Sequence, residues 1–193
     1  MATATAVIEK NILKPSKIVS LTTFFSKYAT AKDGFKYEYN NGIIEKTLRM
    51  VTKKQWFIID NIERHFAQTA AYKRGDTIFR EPEVWTADLQ VRAPDMAYLT
   101  KKQIRKEPDD EKTMSPFLIE VVSPTDRMYK VNAKIREYFN AGTSVVWLIL
   151  PDSKEVYVYT SPTQIQVCEG TTKCFAGSFL PDFDISAADI FNR

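Results

Sequence analysis

Two acidic residues of this sequence stand within or beside apolar stretches. Glu120 interrupts the apolar run 117–122, and Asp95 directly precedes the apolar stretch 96–99. A buried carboxylate without a partner is costly, so Glu120 needs a metal ion, a cationic side chain or an opening to solvent. If the two stretches are neighbouring strands, both carboxylates can reach one point. Two carboxylates, a backbone carbonyl such as that of Val121 and water form the hard oxygen site that suits Mg²⁺ or Mn²⁺.

A lysine downstream of Glu120 could complete a site for hydrolysis. A bound divalent cation can activate water and stabilise a phosphoryl transition state, and a nearby ammonium can neutralise the developing charge. Lys134 is the candidate, and Lys130 lies one turn earlier on the same face of a predicted helix. The spacing also fits a purely structural interpretation, in which Asp95 ends a strand, Glu120 faces solvent and the lysines form a solvated helix face.

The segments that would position these residues alternate between helical and strand patterns. The pattern predicts helices over 20–29, over 52–71 with Thr52 as N-cap, and from about 127 to 141, with Gly142 ending the last of them. It predicts strands over 35–39 and 43–48, joined by an Asn-Asn-Gly turn, and over 77–85, 89–91, 96–99, 117–122, 144–150, 156–159 and 164–168. The charged segment 101–112 is predicted to be a solvated loop, and 183–191 a final turn or short helix. This order favours an α/β (α+β) fold.

Composition excludes several classes of protein. The chain has 193 residues, 44% of them hydrophobic and 26% charged, which is typical of one globular domain, expected over 18–193 after a flexible arm over 1–17. One histidine and two cysteines leave almost no material for a zinc site or a Ser-His-Asp triad. Without a long apolar run or a signal-peptide pattern, a cytoplasmic protein with no membrane partner is expected. A net charge of +3 does not by itself indicate a nucleic-acid-binding protein.

A series of short motifs follows in a particular order along the chain. Glu120-Val-Val-Ser-Pro-Thr-Asp is followed by Lys134, Tyr138, Ala141-Gly142 and the strand Val145-Val146-Trp147-Leu148-Ile149. Upstream stand Tyr37-Glu38-Tyr39-Asn40-Asn41-Gly42 and Pro94-Asp95-Met96-Ala97. Downstream, a last segment runs from Leu180-Pro181-Asp182-Phe183 through Ile190-Phe191. Over roughly residues 20–191 this order resembles the Uma2 family (DUF820-type restriction endonucleases) of the PD-(D/E)XK nuclease superfamily. Each motif alone is weak, but their combined order is specific.

The resemblance implies a restriction-endonuclease-like core, in which helices flank a central mixed β-sheet. It also implies a metal-dependent endonuclease that uses Mg²⁺ or Mn²⁺ to hydrolyse phosphodiester bonds, with DNA as the expected nucleic-acid partner. Carried over to this sequence, the metal ligands are Asp95 and Glu120. Val122 stands at the usual lysine position of an E-x-K motif, and the resemblance places the catalytic lysine on the following helix, at Lys134, as in other Uma2-like sequences.

Two departures from the family pattern leave an alternative function open. Lys130 stands where the family often has aspartate, and Gln55 stands where it often has histidine. The alternative is a catalytically weakened nucleic-acid-binding or regulatory protein on the same fold. Glu38 and Glu45 could approach the site from the hairpin, although at least one is expected only to face solvent. Cutting both strands of a duplex commonly needs two active sites, which leaves a homodimer open.

Overall fold

The computed structural model describes residues 18–49, 53–106, 112–124 and 126–193. The arm expected over 1–17 and the N-cap expected at Thr52 lie outside these residues. The helices are α1 Leu21–Thr23, which continues as a π-helical turn Phe24–Tyr28, α2 Lys53–Phe66, α3 Ala70–Lys73, α4 Lys101–Ile104, α5 Met128–Asn140 and α6 Ala187–Ile190. The strands are β1 Phe35–Asn40, β2 Ile43–Leu48, β3 Thr77–Arg80, β4 Val84–Ala87, β5 Gln90–Arg92, β6 Met96–Leu99, β7 Phe117–Val121, β8 Val145–Leu150, β9 Glu155–Ser161 and β10 Gln164–Cys168.

The larger sheet has six strands in the order β10-β9-β8-β7-β6-β3. Strands β7 and β8 are parallel and are linked through α5, whereas the other neighbours are antiparallel. Parallel neighbours need such a crossover because a tight turn cannot join them. Every residue of β7 is buried, because both faces of this central strand are covered. The predicted mixed sheet with flanking helices is therefore confirmed.

The two faces of this sheet carry separate apolar clusters. Phe117, Ile119 and Val121 of β7 pack with α2 and α6, whereas Leu118 packs with α5 and β4. Because side chains alternate along a strand, Glu120 belongs to the same face as Leu118. The interruption in the apolar run therefore faces α5.

The smaller sheet has four strands in the order β2-β1-β5-β4 and packs against the first helix through Phe24. The predicted hairpin of β1 and β2 is confirmed, and its turn residues Asn41 and Gly42 have φ angles of 50° and 87°. Both values suit the left-handed turn that matches the twist of paired strands. The register places Glu38 directly opposite Glu45. Like charges in that position destabilise a sheet unless a cation lies between them.

Two predicted elements are each divided in the structure. The helix predicted over 52–71 ends at Phe66, and a separate short helix begins at Ala70 because the Thr69 side chain accepts a hydrogen bond from the backbone of Tyr72. The strand predicted over 77–85 is broken into β3 and β4, where Glu81 has a φ of 46°. Such a left-handed residue cannot continue an extended strand.

The loop predicted over 101–112 is wrong in its first part, where α4 forms. A capping box starts this helix: the Thr100 side chain accepts from the backbone of Gln103, and the Gln103 side chain accepts from the backbone of Thr100. Residues 107–111 lie outside the described residues.

No helix within the described residues combines the length and the apolar character that crossing a membrane would require.

Candidate active site

Strands β6 and β7 bring Asp95 and Glu120 together. Met96 pairs with Ile119 in their antiparallel register, so one further step places Asp95 opposite Glu120. The Asp95 Oδ2 atom accepts a hydrogen bond of 2.7 Å from the backbone nitrogen of Val121. Asp95 lies in the bend that precedes β6, and its charge adds to the effect of burial in raising the pKa of Glu120, so the two carboxylates are close. The structure therefore brings together two acids that are 25 positions apart in the sequence.

Helix α5 adds a lysine and a tyrosine to this face. The Lys134 Nζ atom lies 2.7 Å from Glu38 Oε1 and 3.5 Å from Glu120 Oε1. One turn later, the Tyr138 hydroxyl donates a 2.6 Å hydrogen bond to Glu120 Oε1. Residues four apart lie on one side of a helix, so α5 presents both groups to the end of β7.

The hairpin contributes carboxylates from both of its strands. Glu38 is 4% exposed, and its Oε1 atom also accepts a 3.0 Å hydrogen bond from the backbone nitrogen of Ala93. The Glu45 side chain is 33% exposed and accepts from Asn40 at 2.8 Å and from Arg92 at 3.0 Å. Neither residue only faces solvent, contrary to the expectation for at least one of them.

Arg92 joins three carboxylates, and the sequence did not single it out. Its guanidinium forms a two-pronged contact with Glu137, at 2.7 and 2.9 Å, and also donates to Glu38 at 3.2 Å and to Glu45 at 3.0 Å. The side chain is only 3% exposed. The signal that could have found it is the opposed acidic pair of the hairpin, which requires a cation.

Lys36 is a second cation that the sequence did not single out. Its Nζ atom lies 2.9 Å from Asp95 Oδ1, and its side chain is largely buried. Lys36 and Glu38 are two residues apart on β1 and therefore point to the same face of that strand. This alternation is the sequence signal that links Lys36 to the acidic residues.

The network as a whole carries more negative than positive charge. Five carboxylates surround three cations, so two negative charges remain in excess when every group is ionised. The carboxylates are Glu38, Glu45, Asp95, Glu120 and Glu137, and the cations are Lys36, Arg92 and Lys134.

Burial and neighbouring charges shift the pKa values of the two central glutamates in opposite directions. Burial raises the pKa of Glu120, and the charges of Lys134 and Lys36 only partly oppose this rise. Burial would also raise the pKa of Glu38, but Lys134 and Arg92 together hold it below its ordinary value. Of these two glutamates, Glu120 is therefore the one whose ionised form is less well compensated by its surroundings.

The residues present fit a hard divalent cation held by a pair of carboxylates. Within the described residues, no group of three or more His, Cys, Asp or Glu side chains is arranged as a metal cluster. Mg²⁺ commonly takes only one or two protein carboxylates and completes its shell with water and substrate phosphate. Asp95 and Glu120 offer such a pair, and the Oε2 atom of Glu120 accepts no hydrogen bond from a described residue. The excess negative charge suits the same kind of ion.

Lys130 and Gln55 are not brought into this network. Lys130 is exposed to solvent and forms no ion pair with a described carboxylate, although it lies one turn from Lys134. Gln55 lies on α2, which covers the opposite face of the sheet. The contacts described for Asp95, Glu120 and Lys134 therefore involve neither of these two residues.

Comparison with known proteins adds a family and a related fold. The model of the Uma2 family, described as "Putative restriction endonuclease", matches residues 23–188. No curated protein matches the chain. Among solved structures, the chain is similar to one described as "a putative nuclease belonging to DUF820" from Anabaena variabilis ATCC 29413. That match has a TM-score of 0.69 and 24% sequence identity, and it covers 80% of this chain and 89% of the other. The similarity to that structure establishes the shared fold.

Proposed function

Because this chain belongs to the Uma2 family, we propose that it is a metal-dependent endonuclease that hydrolyses phosphodiester bonds in DNA. The observation that carries the proposal is that Asp95, directly before β6, binds the backbone next to Glu120 on β7, with the Lys134 ammonium 3.5 Å from Glu120. A pair of acids with an adjacent lysine is an arrangement suited to phosphodiester hydrolysis.

Asp95 and Glu120 are the proposed ligands of Mg²⁺ or Mn²⁺. When bound, the cation would supply an acidified water molecule as nucleophile and would neutralise charge on the phosphate. The Tyr138 hydroxyl donates to Oε1 of Glu120, and Oε2 accepts no hydrogen bond from a described residue. The bond to Tyr138 thereby fixes the carboxylate with Oε2 available to a ligand. Burial raises the pKa of Tyr138 well above its ordinary value, so this hydroxyl remains a donor at neutral pH.

Lys134 is the proposed catalytic lysine. Burial alone would lower its pKa, but Glu120 and Glu38 raise it, so the ammonium stays charged at neutral pH. A fixed positive charge beside the carboxylate pair can stabilise the additional negative charge of the transition state. Glu38 holds this ammonium at 2.7 Å and is itself anchored by Arg92. Glu38 and Arg92 are therefore positioning residues that act through Lys134.

Nicking of supercoiled plasmid tests the proposal. Purified protein should convert the plasmid to open circles with Mg²⁺ or Mn²⁺ and should not do so with EDTA. Glu120→Ala should lose this activity, whereas Glu169→Ala, which removes an exposed carboxylate, should retain it. A wild-type protein that binds DNA but never nicks it would instead support the weakened, regulatory alternative.

A further inference from the structure

Lys36 is the ion-pair partner of a proposed metal ligand. Its Nζ atom lies 2.9 Å from Asp95 Oδ1, while the other carboxylate oxygen, Oδ2, accepts the 2.7 Å hydrogen bond from Val121. Both oxygens of Asp95 therefore already have donors. A divalent ion on the remaining lone pair of Oδ1 would lie roughly 2.0–2.2 Å from that oxygen, beside the ammonium. Two cations would then lie within a few ångströms of each other and repel.

The structure holds Lys36 in this position as a charged group. Its side chain is 12% exposed, which is uncommon for a lysine without close counter-charges. Burial would lower the pKa of Lys36, but the carboxylates of Asp95, Glu120 and Glu38 raise it above its ordinary value. The same three carboxylates would repel one another without a cation among them. Lys36 thus provides, within the chain itself, part of the compensation that a metal ion would provide.

Lys134 is less directly in competition with a metal ion. Its close partner is Glu38, at 2.7 Å, whereas its distance to Glu120 Oε1 is 3.5 Å. The Oε2 atom of Glu120, which accepts no hydrogen bond from a described residue, can accept a new ligand while Lys134 keeps its bond to Glu38. Each oxygen of Asp95 already accepts one hydrogen bond, and the donor on Oδ1 is itself a cation.

We propose that Lys36 is an internal cation that competes with the divalent metal for Asp95 and is displaced from Oδ1 when the metal binds. This inference rests on the proposed metal site at Asp95 and Glu120. Lys36 thereby weakens metal binding and stabilises the carboxylates while the metal is absent. The displaced ammonium would then be available to a substrate phosphate as a new anionic partner.

Mn²⁺ affinity, measured from the electron paramagnetic resonance signal of free Mn²⁺, tests this competition without any cleavage reaction. Lys36→Met should bind Mn²⁺ about tenfold more tightly than the native protein, or more, because a close positive charge has been removed. Lys36→Arg should stay near the native affinity because it keeps the charge. Asp95→Asn should lose most of the binding.

The matched control is Lys46→Met on the neighbouring strand. Lys46 is exposed, and its ammonium lies 3.6 Å from the centre of the Phe35 ring, not beside the carboxylates. This variant changes the net charge by the same amount as Lys36→Met and should leave Mn²⁺ affinity unchanged. A similar gain in both variants would mean that only the overall charge matters, which would overturn the inference.

Thermal unfolding adds a second measurement on the same proteins. In the absence of metal, Lys36→Met should melt at a lower temperature than the native protein. Mn²⁺ should raise the melting temperature of Lys36→Met more than that of the native protein. If Lys36→Met does not fold, Lys36→Gln gives the same comparison, since it keeps a donor for Asp95 without the charge.

Unchanged or weaker Mn²⁺ binding after loss of the charge, with binding still abolished by Asp95→Asn, overturns the competition and leaves the metal site intact. Absence of Mn²⁺ binding in every protein overturns the proposed metal site and this inference with it.

Discussion

Replacing Arg92 with methionine should strongly destabilise the protein, because three carboxylates depend on this buried guanidinium. The side chain is 3% exposed and donates four hydrogen bonds of 2.7–3.2 Å, two of them to Glu137 and one each to Glu38 and Glu45. Removing one partner of a buried ion pair costs about 3–5 kcal/mol, since it leaves an uncompensated charge. For a domain of this size, that loss lowers the melting temperature by roughly 6–20 °C.

Arg80→Met is the matched control for Arg92→Met. Arg80 also forms a two-pronged contact with one glutamate, Glu63, but its side chain is 56% exposed. Exposed ion pairs contribute at most about 1 kcal/mol. Urea unfolding, followed by circular dichroism, measures the loss of unfolding free energy in each variant. If the slope of that free energy against urea concentration is unchanged, the unfolded states are comparable.

Equal losses in Arg92→Met and Arg80→Met would refute the reasoning about burial. Adding Glu137→Met to Arg92→Met should recover part of the lost stability, because it removes one of the carboxylates left without a cation. The explanation would be contradicted if the double variant lost more unfolding free energy than Arg92→Met and Glu137→Met lose together as single variants.

Three further predictions concern the site and a buried acid outside it. Lys134→Ala should lower the rate of DNA cleavage by ~10²-fold while DNA affinity at fixed salt changes far less, and Lys130→Ala, which removes an exposed lysine, should cleave normally. Normal cleavage by Lys134→Ala would remove its proposed role. Mn²⁺ should raise the melting temperature of the native protein and raise that of Asp95→Ala much less, and equal shifts would place the ion elsewhere. Burial would raise the pKa of Asp76, but hydrogen bonds from Tyr98 and Lys101 and the charge of Arg74 hold it below 3.8. The stability it contributes is therefore complete above that value and is lost as the pH falls through the lowered pKa. Asp76→Asn should accordingly reduce the fall in melting temperature between about pH 6 and pH 3, and an unaltered fall would contradict this linkage.

The central strands and the pairing of acids could be predicted from the sequence because their signals are local and strong. The apolar run around Glu120 indicates a strand buried on both faces, and a single charge in it marks the face where the site must lie. Asp95 precedes a second apolar strand, so convergence of the two acids required only that these strands be neighbours. The register of β6 and β7 supplies that neighbourhood.

The sequence holds weak signals for the cations Lys36 and Arg92, but it could not assign their partners, which are distant along the chain. Lys36 is 59 positions from Asp95, and Arg92 is 54 positions from Glu38. Their contacts depend on how the hairpin of β1 and β2 meets β5 and the larger sheet. One sequence alone gives no register for such long-range pairs.

The short helix α4 was missed because composition outweighed a local capping signal. The segment that begins at Lys101 is rich in charges of both signs, which favours a solvated loop. Thr100 and Gln103 nevertheless form a capping box, which satisfies backbone donors at the start of a single helical turn. The spacing of threonine and glutamine three residues apart was the available signal.

Anomalous diffraction from crystals of the protein soaked in Mn²⁺ tests most directly whether the two acids form a metal site. The expected result is a peak between Asp95 and Glu120, with a carboxylate oxygen of each roughly 2.0–2.3 Å from the ion. The same crystals should show the Lys36 ammonium displaced from Asp95 Oδ1. A Mn²⁺ peak bound to other residues, in a protein that nicks plasmid DNA with Mn²⁺, would contradict the proposed site.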